Sequence, residues 1–362
     1  MKLKNIGKIT TGKTPSKNVE SAFGNYIQFL TPRDFNGQRY SDTTERSLSV
    51  RGMEAVKNAI VKGPSISVTC IGSDMGKTIF NKKDIVSNQQ INSISDIKSE
   101  INPMFLYYLL CTKRRYLHFI GSSQGSTMPI LNKRDFGNLT FKFPTRSDQD
   151  EVVNKINILD SKIELNNQIN DNLLEVSKSI FKKYFPDVND GDEDIGSYIK
   201  NYDKDRKPLS KKERSQMPGK YRYIGATSVN DYINKYTFDG IYLLLGEDGT
   251  VQDDKGYPIL QYIHGKFWPN NHAHVLQGYK VSTEWLYLFF LQRNIEGIIT
   301  GAVQKKISQK NLNSLTVNIP SNNELIKFDN LIQPIFKQIR TLEEESKRLQ
   351  KVKQELLDKY FG

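Results

Sequence analysis

The chain has 362 residues, 37% of them hydrophobic and 25% charged, with a net charge of +12 and two cysteines. That length accommodates two to four units, each able to bury a core of its own; no apolar run reaches a membrane span, and MKLKNIGKIT lacks a signal peptide's apolar stretch. Cys70 and Cys111 are too few for a disulfide framework, so the expectation is a soluble, cytoplasmic protein with reduced thiols.

In chain order, residues 1–144 read as mixed strand and helix. KLKNIGKITTG has alternating apolar positions and runs into GKTPS, where Gly12 and Pro15 break regular structure. NYIQFLTP (25–32) and the β-branched PSISVTCIG (64–72) are strand candidates. Residues 102–121 read as one buried helix with a basic C-terminal half, followed by a Gly/Ser loop, a short helix and a closing strand, NLTFKFP. Residues 145–187 form a long amphipathic helix. After the acidic linker VNDGDEDIG, residues 188–320 repeat the first order more loosely. YRYIGAT stands for NYIQFLTP, and GIYLLLGEDG for SISVTCIGSDMG, with Gly72 and Asp74 set against Gly246 and Asp248. Residues 321–362 form a second long helix.

The two long helices are copies. The segment after Pro144 and the segment after Pro320 align without a gap at an offset of 176, both ending in KYF. The first carries a seam at steps of four and three through Val152, Ile156, Leu159, Ile163, Asn166, Asn170, Leu173, Ser177 and Ile180. The second carries Phe328, Ile332, Ile335, Ile339, Leu342, Ser346, Leu349, Lys353 and Leu356 in the same phase. A period of 3.5 residues over several heptads predicts coiled-coil packing. Ser321 and Glu324 form a capping box, with Thr145 and Asp148 at the matching positions. Pro334 is expected to kink or restart the second helix. Asn166 and Asn170 either fix register or mark a wet section of the seam.

Charge follows the same division. Residues 1–144 carry 21 Lys and Arg against 10 Asp and Glu, a net of +11; residues 145–187 are at −2, 188–320 at +2 and 321–362 at +1. A polyanion is the natural partner of the first segment, whereas near-neutral helices suit protein contacts.

Catalytic signatures fail on inspection. The segment 72–78, GSDMGKT, is one residue short of a P-loop, whose length is set by the phosphates it wraps. His272 and His274 lie two apart near His264, but no Cys cluster, HExxH or placed carboxylate accompanies them, so polar loop residues are expected rather than a metal site. No methyltransferase tetrapeptide, glycine fingerprint or nuclease constellation occurs. No cofactor is implied for this chain.

What recurs is polar and basic side chains on paired loops. In the first half these are Lys13, Thr14 and Ser16; Arg33; Lys77; Asn88, Gln89 and Gln90; and Gln124 and Ser126. In the second half they are Lys211, Lys212 and Arg214; Asn270, Asn271 and His272; and Gln304, Lys305 and Lys306. Arg and Lys suit phosphates and guanine edges, and Asn and Gln suit adenine edges, so these are candidate DNA contacts.

With ITTGKTPS, the paired SNQQINSI and PNNHAHVL, the stretch PLSKKERSQMPGKYRYIGAT and the two copies ending KYF, the whole chain resembles the specificity subunit of type I restriction–modification systems. The resemblance implies an α+β fold: target-recognition domains at 1–144 and 188–320, and spacer helices at 145–187 and 321–362 packed as an antiparallel coiled coil in a pseudo-twofold duplicated unit. It implies a non-catalytic subunit that reads double-stranded DNA at a split site, one domain per half-site. Two methylating subunits dock around it and supply S-adenosylmethionine chemistry, and restriction subunits join in some complexes. Pro334 and the small charge excess of the second domain depart from the expected symmetry. A coiled-coil adaptor with two protein-binding globules is the rival reading.

Overall fold

The computed structural model describes residues 1–122, 129–301 and 304–362. The chain divides into two compact units: Met1–Ile163 with Arg348–Gly362, and Glu164–Lys347. Among the described residues, nine strands lie in the first: β1 (Lys8–Thr11), β2 (Phe23–Gly24), β3 (Ile27–Leu30), β4 (Arg46–Leu48), β5 (Ile60–Val61), β6 (Ser65–Thr69), β7 (Thr78–Asn81), β8 (Ile85–Ser87) and β9 (Ile91–Ser95). Its short helices are α1 (Val50–Ala55), α2 (Pro103–Thr112), α3 (Arg114–Ser122) and α4 (Lys133–Asn138). The long helix α5 (Arg146–Tyr184) enters both units. The second unit adds β10 (Glu193–Asp194), β11 (Ile199–Asn201), α6 (Lys211–Ser215), β12 (Pro218–Ile224), β13 (Val229–Ile233), β14 (Phe238–Gly246), β15 (Leu260–Pro269), β16 (Ala273–Gly278), α7 (Thr283–Phe290), α8 (Gln309–Asn313), β17 (Thr316–Val317) and most of α9 (Asn322–Phe361).

The two units use one sheet plan in an intact and a broken form. In the second unit one sheet has the order β11-β16-β14-β15-β12-β13. The first unit keeps β1-β9-β6-β7, the counterpart of β11-β16-β14-β15, but its remaining strands form a separate sheet, β2-β4-β3-β8-β5. The parallel pair β3–β8 answers to the parallel pair β12–β15. Thus β5 with β6 corresponds to β14, and β7 with β8 to β15. The long strands continue in the second unit where Gly240 pairs with Gly265, both at positive φ. At the matching place the first unit has Gly63 and Pro64. Pro64 has no N–H for the ladder, and a Cβ on Gly63 would lie 2.5 Å from the Lys82 carbonyl oxygen. Asp84 holds this break closed, accepting from Lys62 Nζ at 2.6 Å and from the Gly63 amide at 3.0 Å.

Three sequence expectations change. The run 102–121 is two helices, α2 and α3, separated at Lys113, whose amide caps Leu110 and whose Nζ donates to the Phe361 carbonyl. The closing strand of the first half reduces to an isolated bridge between Lys2 and Thr140. Of the two outcomes expected at Pro334, a kink or a restart, the restart does not occur, since α9 is helical from end to end. Ile332 and Phe336, on either side of it, are buried in the apolar core, and that packing carries the helix past the missing amide.

Each globule is fastened to its share of the long helices. In the first unit Val152, Val153 and Ile156 of α5 join Leu357 and Phe361 of α9 in the core under α2. There the helices run antiparallel, with Lys155 near Tyr360 and Asp160 near Lys353. The Asp160 carboxylate is buried and accepts from Tyr108 Oη at 2.7 Å and from Lys353 Nζ at 2.6 Å, with the Arg39 guanidinium at 3.8 Å. In the second unit Phe181 and Phe185 meet Phe328 and Trp285, again with the helices antiparallel. Its buried carboxylate is Glu284 of α7, which accepts from Tyr262 Oη at 2.6 Å, Gln333 Nε2 at 3.0 Å and Arg340 Nη1 at 3.1 Å. Burying a carboxylate demands such partners.

Along the seam, Val152, Ile156, Ile163, Phe328, Ile332, Ile339 and Leu342 are buried, while Leu159, Leu173, Ile180, Leu349 and Leu356 are half-buried. Asn166 is fully buried; its Nδ2 donates to Glu345 at 2.8 Å and to Ser346 at 3.3 Å. Among the described residues no helix is long and apolar enough to cross a membrane.

Candidate nucleic-acid interface

In the first unit the polar loops singled out in the sequence meet at one edge. The Asn88 amide donates to the Leu30 carbonyl at 3.0 Å, the Cys70 amide to Gln90 at 2.7 Å, and the Gly72 amide to Pro129 at 3.0 Å. Thr14 Oγ1 donates to Gln89 Oε1 at 2.8 Å, drawing in the loop after β1. Thr31, Pro32, Arg33, Glu45, Arg46, Asn88 and Gln90 line one open polar groove. Lys13, Ser16, Arg33 and Gln89 are exposed, and Lys77 is half-buried with its Nζ 3.1 Å from Asp74. Gln124 and Ser126 lie outside the described residues. The segment 72–78 joins β6 to β7 as a hairpin, so it is no strand–loop–helix phosphate cradle.

The second unit reproduces the backbone bonds of this edge. Asn270 donates to the Ile224 carbonyl at 2.9 Å, Glu247 to His272 at 2.9 Å, and Gly249 to Lys305 at 3.0 Å. The amides of Leu131 and Ile307 bond Cys70 and Glu247 respectively, both at 2.9 Å. Side chains match as well. Asn92 Nδ2 donates to the Leu131 carbonyl as His274 Nε2 does to the Ile307 carbonyl, at 3.2 and 2.9 Å. Asn88 and Asn270 each accept the amide two residues on, that of Gln90 or His272, in an Asx turn. These bonds correct the alignment of the two halves: Gly72 answers to Gly249, not Gly246. Both glycines have positive φ with open space where a Cβ would stand. The shared Gly-x-Asp spacing had matched the wrong pair.

The chemistry on the common frame differs. In the first unit Thr11 Oγ1 donates to Asn92 at 2.7 Å, a neutral pair. In the second, Asp203 sits 2.5 Å from the buried His274 Nδ1, Arg206 reaches Glu247 at 2.7 Å, and Lys306 lies 3.5 Å from Glu247. Burial alone would raise the Asp203 carboxyl. The His274 hydrogen bond and charge, the Val275 amide and Arg206 outweigh it and hold the group below its ordinary value. Asp203, Glu247 and His274 are close enough to share a cation, yet Arg206 already bonds Glu247 and lies 3.7 Å from Asp203, which makes this a closed ion network. Burial pushes the thiol of Cys70 up to about 12 and that of Cys111 up to about 11, so neither is a poised thiolate.

Not every second-half candidate faces outward. Asn270 is buried and spends its side chain on the turn, while Arg214 donates to the Leu209 carbonyl at 2.7 Å and to Asp231 at 3.2 Å, stacked on Tyr223. Lys211, Lys212, Asn271, His272, Gln304, Lys305 and Lys306 are exposed. Lys211, Lys212 and Arg214 sit on α6 rather than on the loops that carry the frame's bonds. Sequence reading passed over Arg46, whose guanidinium stacks on Phe23 and lines the first groove, and Arg206, which ties the second edge together. Neither stands in a recurring motif, and only the hydrogen-bond register reveals the pairing of Thr11 with Asp203.

The signature described as the type I restriction modification DNA specificity domain matches residues 1–175 and 194–354. The chain belongs to that family. This specificity-family chain is 22% identical over 399 residues to the MjaIX specificity subunit of a type I restriction enzyme from Methanocaldococcus jannaschii, covering 100% of this chain and 92% of that one. A stretch of 116 residues, 32% of this chain and 29% of the relative, is 34% identical to a putative type I restriction enzyme specificity subunit of Haemophilus influenzae. A crystal structure of the type I restriction–modification S subunit from M. genitalium shares the fold at a TM-score of 0.58 and 15% identity, over 100% of this chain and 95% of that one.

Proposed function

We propose that this chain is the DNA-reading subunit of a type I restriction–modification complex, with one target-recognition domain for each half of a split site. The observation that carries the reading is the edge frame repeated in residues 1–144 and 188–320: equivalent backbone hydrogen bonds present different side chains, as two readers of different sequences require. The helices at 145–187 and 321–362 act as an antiparallel coiled-coil spacer. Helices of 39 and 40 residues span about 58–60 Å at ~1.5 Å per residue, more than the ~34 Å of one DNA turn. Methylating subunits dock on this near-neutral spacer and provide the chemistry, with restriction subunits as further partners.

A salt titration of DNA binding tests the reading. Several phosphate contacts predict that affinity falls steeply and linearly on a log–log plot. The rival, a coiled-coil adaptor with two protein-binding globules, predicts weak binding with little salt dependence, and the +11 of residues 1–144 speaks against it.

A further inference from the structure

We propose that the residue closing the matched Asx turn, Gln90 in the first unit and His272 in the second, is a base-selecting position, and that the two present opposite hydrogen-bonding characters. The assignment rests on the DNA-reading function above and adds the residues that select. Both amides are pinned by the preceding Asn, at 3.1 Å from Asn88 Oδ1 and at 2.9 Å from Asn270 Oδ1, so each side chain leaves a fixed backbone at an equivalent place. A fixed origin is what a base contact needs, because a bidentate or single edge contact discriminates only when its donor cannot drift.

Each side chain is also oriented by one internal bond. Gln90 Oε1 accepts from Asn88 Nδ2 at 3.0 Å, which leaves its NH₂ for the groove that Gln90 lines together with Arg33, Glu45 and Arg46. That group donates, so it suits an acceptor edge: guanine O6 or N7, adenine N7 or thymine O4. His272 Nδ1 lies 2.6 Å from Asp248 Oδ1. A carboxylate only accepts, so Nδ1 carries a proton, and the tautomer that this bond selects has Nε2 as its accepting nitrogen. This atom suits a donor edge, cytosine N4 or adenine N6. Among the described residues of the frame, this position is exposed or half-exposed, backbone-pinned and side-chain-oriented in both units, and it carries complementary preferences.

The test is the methylation motif made by the whole complex carrying Gln90→His or His272→Gln, read by sequencing modified bases in a randomised DNA library. The expected result is a change of preferred base at one position of one half-site, about tenfold in relative methylation, with the other half-site and the gap unchanged. Gln90→Glu and Asp248→Asn are near-isosteric second variants that keep the fold. The first replaces the outward donor by an acceptor, and should invert the preference at the same position. The second lets the partner of His272 donate or accept, and should relax discrimination there. An unchanged motif, or a loss of methylation spread evenly over all sequences, overturns the assignment. The wild-type complex in the same library separates the two levels: a defined motif with unresponsive variants leaves the DNA-reading function standing, whereas no sequence preference at all overturns both.

Discussion

The two globules solve the same structural problem with different chemistry. At the candidate reading edge the first unit sets Thr11 against Asn92, a neutral pair, and has Cys70 where the second has Glu247, whereas the second sets Asp203 against His274 and ties Glu247 to Arg206 and Lys306. Fastening to the long helices shows the same divergence. The first unit takes its buried carboxylate, Asp160, from helix α5 and surrounds it with Tyr108, Arg39 and Lys353. The second takes it from the globule, as Glu284, and draws Arg340 and Gln333 from α9. Duplication has kept the backbone frame and the apolar seam while the polar locks were replaced on each side.

The largest effects should come from breaking one lock at a time. Asp160→Leu leaves Lys353 and Arg39 without their carboxylate in a mostly buried place, and should cost about 3–5 kcal/mol in chemical denaturation. Glu284→Leu is the matching lesion in the second unit. If the locks are equivalent, its cost falls in the same range, and a cost below about 1 kcal/mol would show that the apolar contacts of Phe181, Trp285 and Phe328 fasten that globule by themselves.

A smaller loss follows at the start of the long helices. Gln149 is fully buried, donating to the carbonyls of Glu100 and Pro144 at 3.0 Å and accepting the Asn102 amide at 2.9 Å, while its copy at offset 176 is the apolar Leu325. Gln149→Leu makes the two helix starts alike, yet should cost about 1–3 kcal/mol by thermal or urea unfolding, because three backbone groups lose their partner.

Acid should distinguish the edges. A carboxyl held below its ordinary value contributes stability in full above the ordinary carboxylate range, near pH ~4, and loses it as pH falls through the folded value. Asp203 is such a group, and the Thr11–Asn92 pair titrates nowhere in this range. Amide exchange measured from pH 6 down to pH 3 should therefore show the 203–206 and 246–249 segments opening before 11–12 and 70–72, after correction for intrinsic rates. Asp203→Asn should remove that pH dependence while lowering stability at neutral pH. The smallest effect belongs to the surface. Arg33 and Glu45 are 82% and 53% exposed at 3.5 Å, so Arg33→Ala should change stability by less than about 0.5 kcal/mol. It should still reduce the salt slope of DNA binding by about one if Arg33 meets a phosphate.

The duplicated helices were legible because a heptad seam and an ungapped offset are local, periodic signals: Ile156 and Ile332 are both fully buried, as one phase requires. The globules were less so. In the first, strands of two to five residues carry little periodicity, and the break at Gly63 and Pro64 splits strands that the second unit keeps whole. Arg206 and Thr11 gain their meaning only from partners distant in sequence, which no motif records. Gly72 was matched to the wrong glycine because spacing was compared where hydrogen-bond register decides. Pro334 shows the converse, since a strong local breaker yields to Ile332 and Phe336 packed on either side.

The central claim, that two equivalent edges each read one half of a split site, is tested most directly by mapping the bases methylated in cells that carry this chain and its methylating subunits. The account predicts two short defined half-sites separated by a gap of fixed length and undefined sequence. A single contiguous motif, or a motif with only one defined half, would contradict it.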